Sequence, residues 1–203
     1  MIAIGRTRGE IEKAKGELRK DAHRLRILSR KRFGIKAGEV LRDRLISNLP
    51  LPVDAAISAH WPIGSEIDIR PLLLAMLKRG HKILLPDMTD PNQPLTFRPW
   101  RGGAITERDR AGVPVPSAPC HTDPPDIVIV PMLAFDRDGV RLGRGGGHWD
   151  RTLAALRRSN WRLLVVGVGW SANEVLRAPS LPHDEPVDMV VTERELFFTG
   201  GRG

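Results

Sequence analysis

The first fifty residues carry the apolar spacing of α-helices. Apolar side chains recur there every three or four residues, which places them in one narrow stripe along a helix. The spacing predicts a helix over residues 8–32 and a second helix over residues 37–47, with Pro50 and Pro52 after it. The stripe of the first helix consists of Ala14, Leu18, Ala22, Leu25 and Leu28.

After residue 53 the pattern changes to short apolar runs that alternate with helical segments. Strands are predicted over residues 54–60, 82–85, 95–100, 127–130, 163–167 and 189–192, and helices over residues 68–79 and 151–158. Alternation of this kind is typical of βαβ units, whose strands pair in parallel. Residues 87–125 are rich in proline and glycine, so we expect hairpins and long loops there.

These elements predict one α/β domain over residues 1–203. Its core is a mostly parallel open sheet flanked by helices, and the N-terminal helical segment, residues 8–48, packs on it. With 203 residues, of which 41% are hydrophobic, the chain is long enough to bury a sizeable core.

The positive charge is concentrated at the N-terminal end of the chain. The formal net charge is +8, and residues 1–50 hold 14 Lys and Arg against 6 Asp and Glu, so the remainder is balanced. A basic helix favours a polyanionic ligand, such as ATP or a nucleic acid. Phe33 is the only aromatic residue in this segment, so the stacking surface of a single-strand binder is missing and nucleic acid is less favoured. Most of the cations are interpreted as a solvated helix face, including Arg24, Arg26, Arg30, Lys31 and Arg32.

Composition excludes several classes of protein. No apolar run approaches the roughly 20 residues that a membrane helix needs, and residues 1–15 lack the apolar region of a signal peptide. We therefore expect a cytoplasmic protein with no membrane partner. Cys120 is the only cysteine, which excludes an intrachain disulfide and a cysteine-rich zinc site.

The most informative segment follows the predicted strand at residues 127–130. A turn is predicted over residues 136–139, and a glycine-rich stretch then runs between Arg141 and Asp150. Because glycine has no Cβ, backbone N–H groups can approach phosphate oxygens there, and Arg141 and Arg144 add positive charge. Asp150 stands where it can hold Mg²⁺ against those phosphates. The glycines are Gly143, Gly145, Gly146 and Gly147.

Other interpretations of the glycines stay open. A glycine cluster can form a tight hairpin with no ligand, and this one lacks the Gly-Lys-Ser/Thr of a Walker A loop. Residues 167–172 fit the Gly-x-Gly-x-x-Ala variant of the dinucleotide fingerprint, so an NAD-dependent oxidoreductase is an alternative. Pro179 and Pro182 cut short the helix that this alternative needs. We favour a close-packed strand end that lines the active site.

Four segments resemble, in the same order, the signature segments of the 5-formyltetrahydrofolate cyclo-ligase family, also called the methenyltetrahydrofolate synthetases. They are residues 15–19, 61–68, 139–150 and 182–188. The third reads Gly-Val-Arg-Leu-Gly-Arg-Gly-Gly-Gly-His-Trp-Asp, where the family has Gly-x-Arg-Leu-Gly-x-Gly-x-Gly, two aromatic residues and Asp. The family usually carries two tyrosines before this Asp, whereas this chain has His148 and Trp149 and no tyrosine. Either His148 supplies the hydrogen bond of a tyrosine hydroxyl or that bond is absent, and Trp149 can still stack on a flat ring.

The resemblance implies roles for individual residues. Lys15 and Arg19 would bind ATP, Glu66 would contact the folate, and Trp61 would flank its ring. Asp150 and Asp188 would together hold Mg²⁺. Arg144 would act catalytically, on the charge of the transition state. The ATP site would further include Arg141, Gly143, Arg144, Gly145, Gly146, Gly147, His148 and Trp149. The substrate site would share Arg144, Gly145, Gly146, Gly147 and His148.

The implied activity is an ATP- and Mg²⁺-dependent ring closure. The substrate 5-formyltetrahydrofolate, with or without a polyglutamate tail, would become 5,10-methenyltetrahydrofolate with release of ADP and phosphate. The formyl oxygen would take the γ-phosphoryl group, and N10 would then close on the formyl carbon and expel phosphate. The alternative is a non-catalytic relative of the family that binds a nucleotide or RNA. We expect the protein to be a monomer.

Overall fold

The computed structural model describes residues 7–49, 51–121, 123–160 and 162–200; the ends of the predicted domain, residues 1–6 and 201–203, lie outside this part. The helices are α1 Arg8–Phe33, α2 Lys36–Asn48, α3 Arg70–Lys78 and α4 His148–Ser159, with a 3₁₀ turn at Ser171–Asn173. The strands are β1 Ala56–Ala59, β2 Lys82–Asp87, β3 Thr96–Trp100, β4 Glu107–Arg108, β5 Pro114–Val115, β6 Ile127–Pro131, β7 Ala134–Phe135, β8 Arg141–Leu142, β9 Leu164–Val168, β10 Met189–Val191 and β11 Leu196–Phe198.

Seven strands form one sheet in the order β11-β10-β9-β6-β1-β2-β3. The five inner strands are parallel, and each edge strand is antiparallel to its neighbour. The predicted α/β fold with a mostly parallel open sheet is therefore confirmed. Strand β6 is buried on both faces, with Val128 and Ile129 fully inaccessible, because helices cover the two sides of a parallel sheet. Burial on both faces explains why its sequence is continuously apolar.

The order of the strands reverses between β1 and β6. From β1 the chain continues to β2 on one side, whereas β6, β9 and β10 follow one another on the other side. In open α/β sheets, ligands bind in the crevice that such a reversal leaves at the carboxyl ends of the strands. His60 and Trp61 follow β1, and Met132 follows β6, at this crevice.

Helix α1 lies across the segment that follows β6. A capping box fixes its first turn, since Thr7 accepts from the Glu10 N–H and the Glu10 side chain accepts from the Thr7 N–H. Further along, Ala22 packs with Leu133 and Leu142. The long predicted helix is confirmed, but the interpretation of Arg26 as part of its solvated face is wrong. Arg26 is only 6% exposed, because α1 turns this face toward the protein.

Helix α4 begins at His148, three residues before the predicted start. The residue that precedes it, Gly147, has a φ of +65°, a left-handed conformation that favours glycine. A run of three glycines therefore leads directly into the first turn of α4, where the backbone N–H groups have no partners within the helix.

The second glycine motif forms a close-packed strand end. A side chain at Gly167 would come within 2.4 Å of the Met132 sulfur, and one at Gly169 within 3.1 Å of the Phe135 ring. The chain then enters only a three-residue 3₁₀ turn, so it has no helix terminus to hold a pyrophosphate. Neither glycine lines the cavity described below, so the expectation that this strand end lines the active site is wrong. The two glycines serve packing.

Candidate active site

A cavity of about 600 Å³ lies at the carboxyl ends of β1 and β6. Three of the four resembling segments and part of the fourth meet there, although they are distant in sequence. The predicted site residues that line it are Lys15, Arg19, Trp61, Glu66, Arg141, Gly143, Arg144, Gly145, Gly146, Gly147, His148, Trp149 and Asp150. Of the predicted set, Asp188 alone is not among the lining residues.

One wall is the glycine loop, which we define as residues 143–147. Gly145 and Gly147 have φ values of +104° and +65°, so glycine is required at both positions. The backbone N–H groups of residues 145–147 donate to no other described residue. Since the loop also leads into the N-terminus of α4, unpartnered donors and the positive end of a helix dipole meet on one surface. Such a surface suits an anion.

Two arginines flank the glycine loop in different ways. The Nε of Arg19 donates to the Gly143 carbonyl at 3.0 Å, so α1 holds the loop in place. Arg144 is exposed and forms no hydrogen bond or ion pair with any other residue in the described part of the chain. Its guanidinium is therefore free to reach a ligand without breaking an existing contact.

Two carboxylates line the cavity beside the loop. Asp150 uses one oxygen, Oδ1, to accept from the Arg141 guanidinium at 2.8 Å and from the Glu185 N–H at 3.2 Å. Its other oxygen has no partner among the described residues. Asp184 is paired with Lys15 and accepts from the Leu181 N–H at 2.7 Å.

Asp188 lies elsewhere, and the predicted metal pair of Asp150 and Asp188 does not form. Asp188 precedes β10, so it stands at the amino ends of the parallel strands, opposite the edge that carries the cavity. Its carboxylate accepts from the Val165 N–H at 2.7 Å and pairs with Arg157 at 3.3 Å. Within the same C-terminal segment, the acid that reaches the cavity is Asp184.

Arg141 was predicted to bind ATP, and in the structure one nitrogen of its guanidinium, Nη2, donates to Asp150 Oδ1 at 2.8 Å. The residue is 6% exposed, and burial lowers the pKa of its guanidinium while Asp150 opposes that shift. A buried cation needs a counter-ion, so each member of this pair fixes the other. Arg141 lines the cavity and orients Asp150.

Another wall of the cavity is the 60–66 turn, which we define as residues 60–66, the loop that follows β1. The Oε2 of Glu66 accepts from the Ile63 N–H at 3.0 Å, and its Oε1 faces the Arg26 guanidinium at 3.5 Å. The His60 Nε2 is 4.0 Å from Glu66 Oε2. Burial lowers the pKa of His60, against the smaller opposing effect of Glu66, so its imidazole is neutral near pH 7.

Trp61 offers an indole face to the cavity. Its ring meets Trp100 edge to face, with 5.6 Å between the centroids, and the guanidinium of Arg70 lies 5.8 Å from its centroid. These two contacts help to orient the indole. The arrangement suits a flat heterocycle.

His148 stands at the position where the family usually has tyrosine. Its Nδ1 lies 3.0 Å from a guanidinium nitrogen of Arg151, which can only donate, so Nδ1 accepts. Burial lowers the pKa of His148, and the charge of Arg151 lowers it further. The neutral ring therefore keeps its proton on Nε2, which provides one hydrogen-bond donor at the cavity wall. A tyrosine hydroxyl could donate in the same way.

Sequence reasoning missed several lining residues. Arg26 is one, although it follows Arg19 by seven residues and Lys15 by eleven, which are close to whole numbers of helical turns. The spacing alone could have grouped the three cations. No comparable signal existed for His60 or for Asp109, which the β4–β5 hairpin brings to the cavity through tertiary packing.

The described residues contain no group of three or more His, Cys, Asp or Glu side chains that could hold a metal ion by themselves. In the same part of the chain, no helix combines the length and the apolar character needed to span a membrane.

Comparison with known proteins identifies the family of the chain. Residues 8–193 match the model of the 5-formyltetrahydrofolate cyclo-ligase family. The chain belongs to this family. The 5-formyltetrahydrofolate cyclo-ligase of Mycolicibacterium smegmatis is 34% identical over 145 residues, which cover 68% of this chain and 73% of that protein. The Escherichia coli K12 enzyme of the same name is 26% identical over 168 residues, covering 79% and 90%.

A solved structure of a family member shows the same architecture. The NMR structure of 5,10-methenyltetrahydrofolate synthetase from Aquifex aeolicus matches with a TM-score of 0.76 and 29% identity, covering 93% of this chain and 95% of that one. The protein is thus an enzyme of the cyclo-ligase family, with one α/β domain built around its sheet.

Proposed function

We propose that the protein converts 5-formyltetrahydrofolate to 5,10-methenyltetrahydrofolate and consumes ATP in the presence of Mg²⁺. The proposal rests on one observation, the set of backbone and side-chain groups that line a single cavity. It joins the N–H groups of the glycine loop and the guanidinium of Arg144, which have no hydrogen-bond partners among the described residues, to the buried acid Glu66 and the indole of Trp61. The first pair suits a polyphosphate, and the second suits a flat ring with N–H donors.

The residues present fit a magnesium ion that is bound together with phosphate. Mg²⁺ is usually held by one or two carboxylates plus phosphate oxygens and water, and the cavity offers Asp150 and Asp184. The unpartnered oxygen of Asp150 is the group that a cation would satisfy. When bound, the ion neutralises negative charge on the phosphates.

In this proposal the protein acts by positioning and by charge. The glycine loop and Arg19 hold the phosphates of ATP, and Glu66 holds the pterin so that the formyl oxygen faces the γ-phosphorus. That oxygen bonds to phosphorus as ADP leaves. N10 then attacks the formyl carbon and loses its proton, and the carbon–oxygen bond breaks to release phosphate. Arg144 stabilises the charge that develops on the transferred group.

The water-excluding part of the site is the 60–66 turn. Its polar side chains are buried and hydrogen-bonded before any ligand arrives, so the pterin meets a preformed surface. His148, with a proton on Nε2, provides the donor in place of the usual tyrosine. We propose that this Nε2–H group donates a hydrogen bond to the substrate where the glycine loop borders the cavity.

The direct test incubates the protein with 5-formyltetrahydrofolate, ATP and Mg²⁺ and follows the methenyl product by chromatography and absorbance, with ADP measured in parallel. Product and ADP should form in equal amounts, and omission of any one component should abolish both. Folded protein that yields neither, or product without ADP, would contradict the proposal. Binding of RNA by inactive protein would favour the non-catalytic alternative.

A further inference from the structure

We propose that Arg26 is a positioning residue for the folate, acting through Glu66, so that α1 serves both substrates. The inference rests on the proposed function and deepens it. Arg26 belongs to none of the four segments that resemble the family signature, and it stands on the same helix as Lys15 and Arg19. It is the one cation of α1 whose guanidinium meets the acid assigned to the pterin.

The hydrogen bonds that Arg26 forms with described residues all go to the 60–66 turn, and the nearby charge of Arg144 adds to the effect of burial in lowering its pKa. Its Nε donates to the Ser65 hydroxyl at 2.9 Å, and its Nη1 faces Glu66 Oε1 at 3.5 Å. Arg26 and Glu66 are each 6% exposed. A buried ion pair holds both partners firmly, because removal of either one leaves an uncompensated charge out of water.

The same turn is fixed from two further directions. The indole nitrogen of Trp170 donates to the Ser65 carbonyl at 2.9 Å, and Arg30 donates to the carbonyls of Gly64 and Glu66. These contacts hold the backbone, whereas Arg26 alone provides a charge to the Glu66 carboxylate. The position of the backbone and the orientation of the Glu66 carboxylate are therefore controlled by different residues.

The geometry gives Glu66 a defined set of free acceptors. Its Oε2 is engaged by the Ile63 N–H and its Oε1 by Arg26, but each carboxylate oxygen has a second lone pair. An ionised carboxylate held in this way can accept two N–H groups from a planar amidine-like edge, the pattern that a 2-amino-4-oxopteridine carries. Arg26 thus holds the Glu66 carboxylate in a fixed orientation, and does not itself need to touch the ligand.

A second consequence concerns α1 as a whole. Lys15, Arg19 and Arg26 recur at spacings of four and seven residues, so one helix face reaches the carboxylate Asp184, the glycine loop and the folate acid. Arg26 is the last of the three. Its substitution should therefore weaken the folate subsite and leave the nucleotide subsite intact.

The experiment compares Arg26→Gln, Arg26→Lys and Arg24→Gln in steady-state kinetics with both substrates. Arg24 is the matched control, because it lies on the same helix with a side chain that is 81% exposed. Arg26→Gln should raise the KM for 5-formyltetrahydrofolate about tenfold or more, while the KM for ATP changes by less than about twofold. Arg26→Lys should recover part of the loss, and Arg24→Gln should match the wild type.

A double-mutant cycle separates positioning from general structural support. On a Glu66→Gln background, Arg26→Gln should add less than about a threefold change in the folate KM, because the charge that it orients is already absent. Equal increases in the KM for both substrates, or an undiminished effect in the Glu66→Gln background, would overturn the inference. Should Arg26→Gln fail to fold, the comparison of Arg26→Lys with wild type in both backgrounds decides the question.

The controls separate this inference from the proposed function. Wild-type protein that makes no methenyl product would refute the function, whatever Arg26 does. An active wild type whose Arg26 variants lose affinity for ATP would refute only the role of Arg26. Isothermal titration with 5-formyltetrahydrofolate alone gives the folate affinity directly and should show the same order of variants.

Discussion

The two walls of the cavity prepare for their ligands in opposite ways. The glycine loop is largely exposed and presents N–H groups and an arginine with no partners among the described residues. The polar side chains of the 60–66 turn, His60, Ser65 and Glu66, are buried, and Glu66 is already engaged by Ile63 and Arg26. The N–H groups and the arginine side chain of the glycine loop have no partners among the described residues before a ligand binds, whereas the polar side chains of the 60–66 turn already have partners within the protein.

The difference follows from the chemistry of the two ligands that we propose. A triphosphate carries several negative charges and many hydrogen-bond acceptors. Exposed N–H donors bind water in its absence at little cost in free energy, and they exchange that water for phosphate when it binds. A pterin brings a flat apolar ring with a few N–H groups, so its partner acid must be buried, and a buried acid needs a counter-ion beforehand. Substitutions on the two walls should therefore affect different quantities. The following predictions use that contrast.

The largest effect is expected for Arg144→Ala. Loss of a cation that stabilises the transferred phosphoryl group should lower kcat by about 1000-fold. Because Arg144 is exposed and forms no hydrogen bond or ion pair with other described residues, the melting temperature should stay within about 2 °C of wild type. Stopped assays and thermal unfolding measure the two quantities. A normal kcat, or a large loss of stability, would show that Arg144 is not a free catalytic cation.

The next effect distinguishes two aspartates of one segment. Asp184→Asn should lower activity by roughly 10- to 100-fold and raise the Mg²⁺ concentration required, because the residue lines the cavity. Asp188→Asn should leave the Mg²⁺ requirement unchanged and cost about 1–2 kcal/mol of unfolding free energy, since it weakens contacts with Val165 and Arg157. Magnesium titrations and urea unfolding provide the readouts. The reverse result would restore Asp188 as the metal ligand.

A smaller effect compares one glycine on each wall. Gly145→Ala forces a side chain onto a φ of +104° and within 3.3 Å of the Arg19 guanidinium, so the KM for ATP should rise about tenfold. Gly64 also has a positive φ, +58°, but its side-chain position is open. Gly64→Ala should therefore change the KM for the folate by less, roughly twofold to fivefold, and leave the KM for ATP unchanged. A rise in both KM values for either variant would contradict the separation of the walls.

The smallest expected effect is a pH dependence of stability from His60. Burial lowers the pKa of His60 below its ordinary value of 6.5, with Glu66 opposing the shift and Arg26 adding to it. The unfolded state then binds more protons below that pH, so the contribution of His60 is full above pH 6.5 and is lost as the pH falls.

His60→Asn should remove this contribution. Between pH 7 and pH 5 the wild-type free energy of unfolding should fall more than that of the variant. Urea denaturation at a series of pH values measures the difference. Parallel curves for the two proteins would mean that His60 does not titrate with unfolding.

Much of the fold and part of the site could be predicted from local pattern. The parallel strands β1, β2, β6, β9 and β10 and the helix α1 follow from periodicity, since burial on both faces or on one face leaves its mark on the sequence. Edge strand β11 was missed, because its apolar run is only three residues long, too short to be distinguished from a loop. The glycine loop could be recognised because φ values above zero and close approach require glycine itself.

The sequence by itself determined which residue types would be available: a basic amphipathic helix, a glycine-rich loop next to an acid, and apolar strands that must pair inside the protein. Tertiary structure alone decided which of them meet. It placed Asp184 in the cavity, at the carboxyl ends of the parallel strands, and Asp188 at their amino ends, although the two residues are only four positions apart. Asp188 directly precedes β10, which lies between β9 and β11. It also buried Arg26 against Glu66. The reason is that two charges pair when they are close in space. Arg26 and Glu66 are 40 residues apart in sequence, so the local sequence pattern cannot show that they meet.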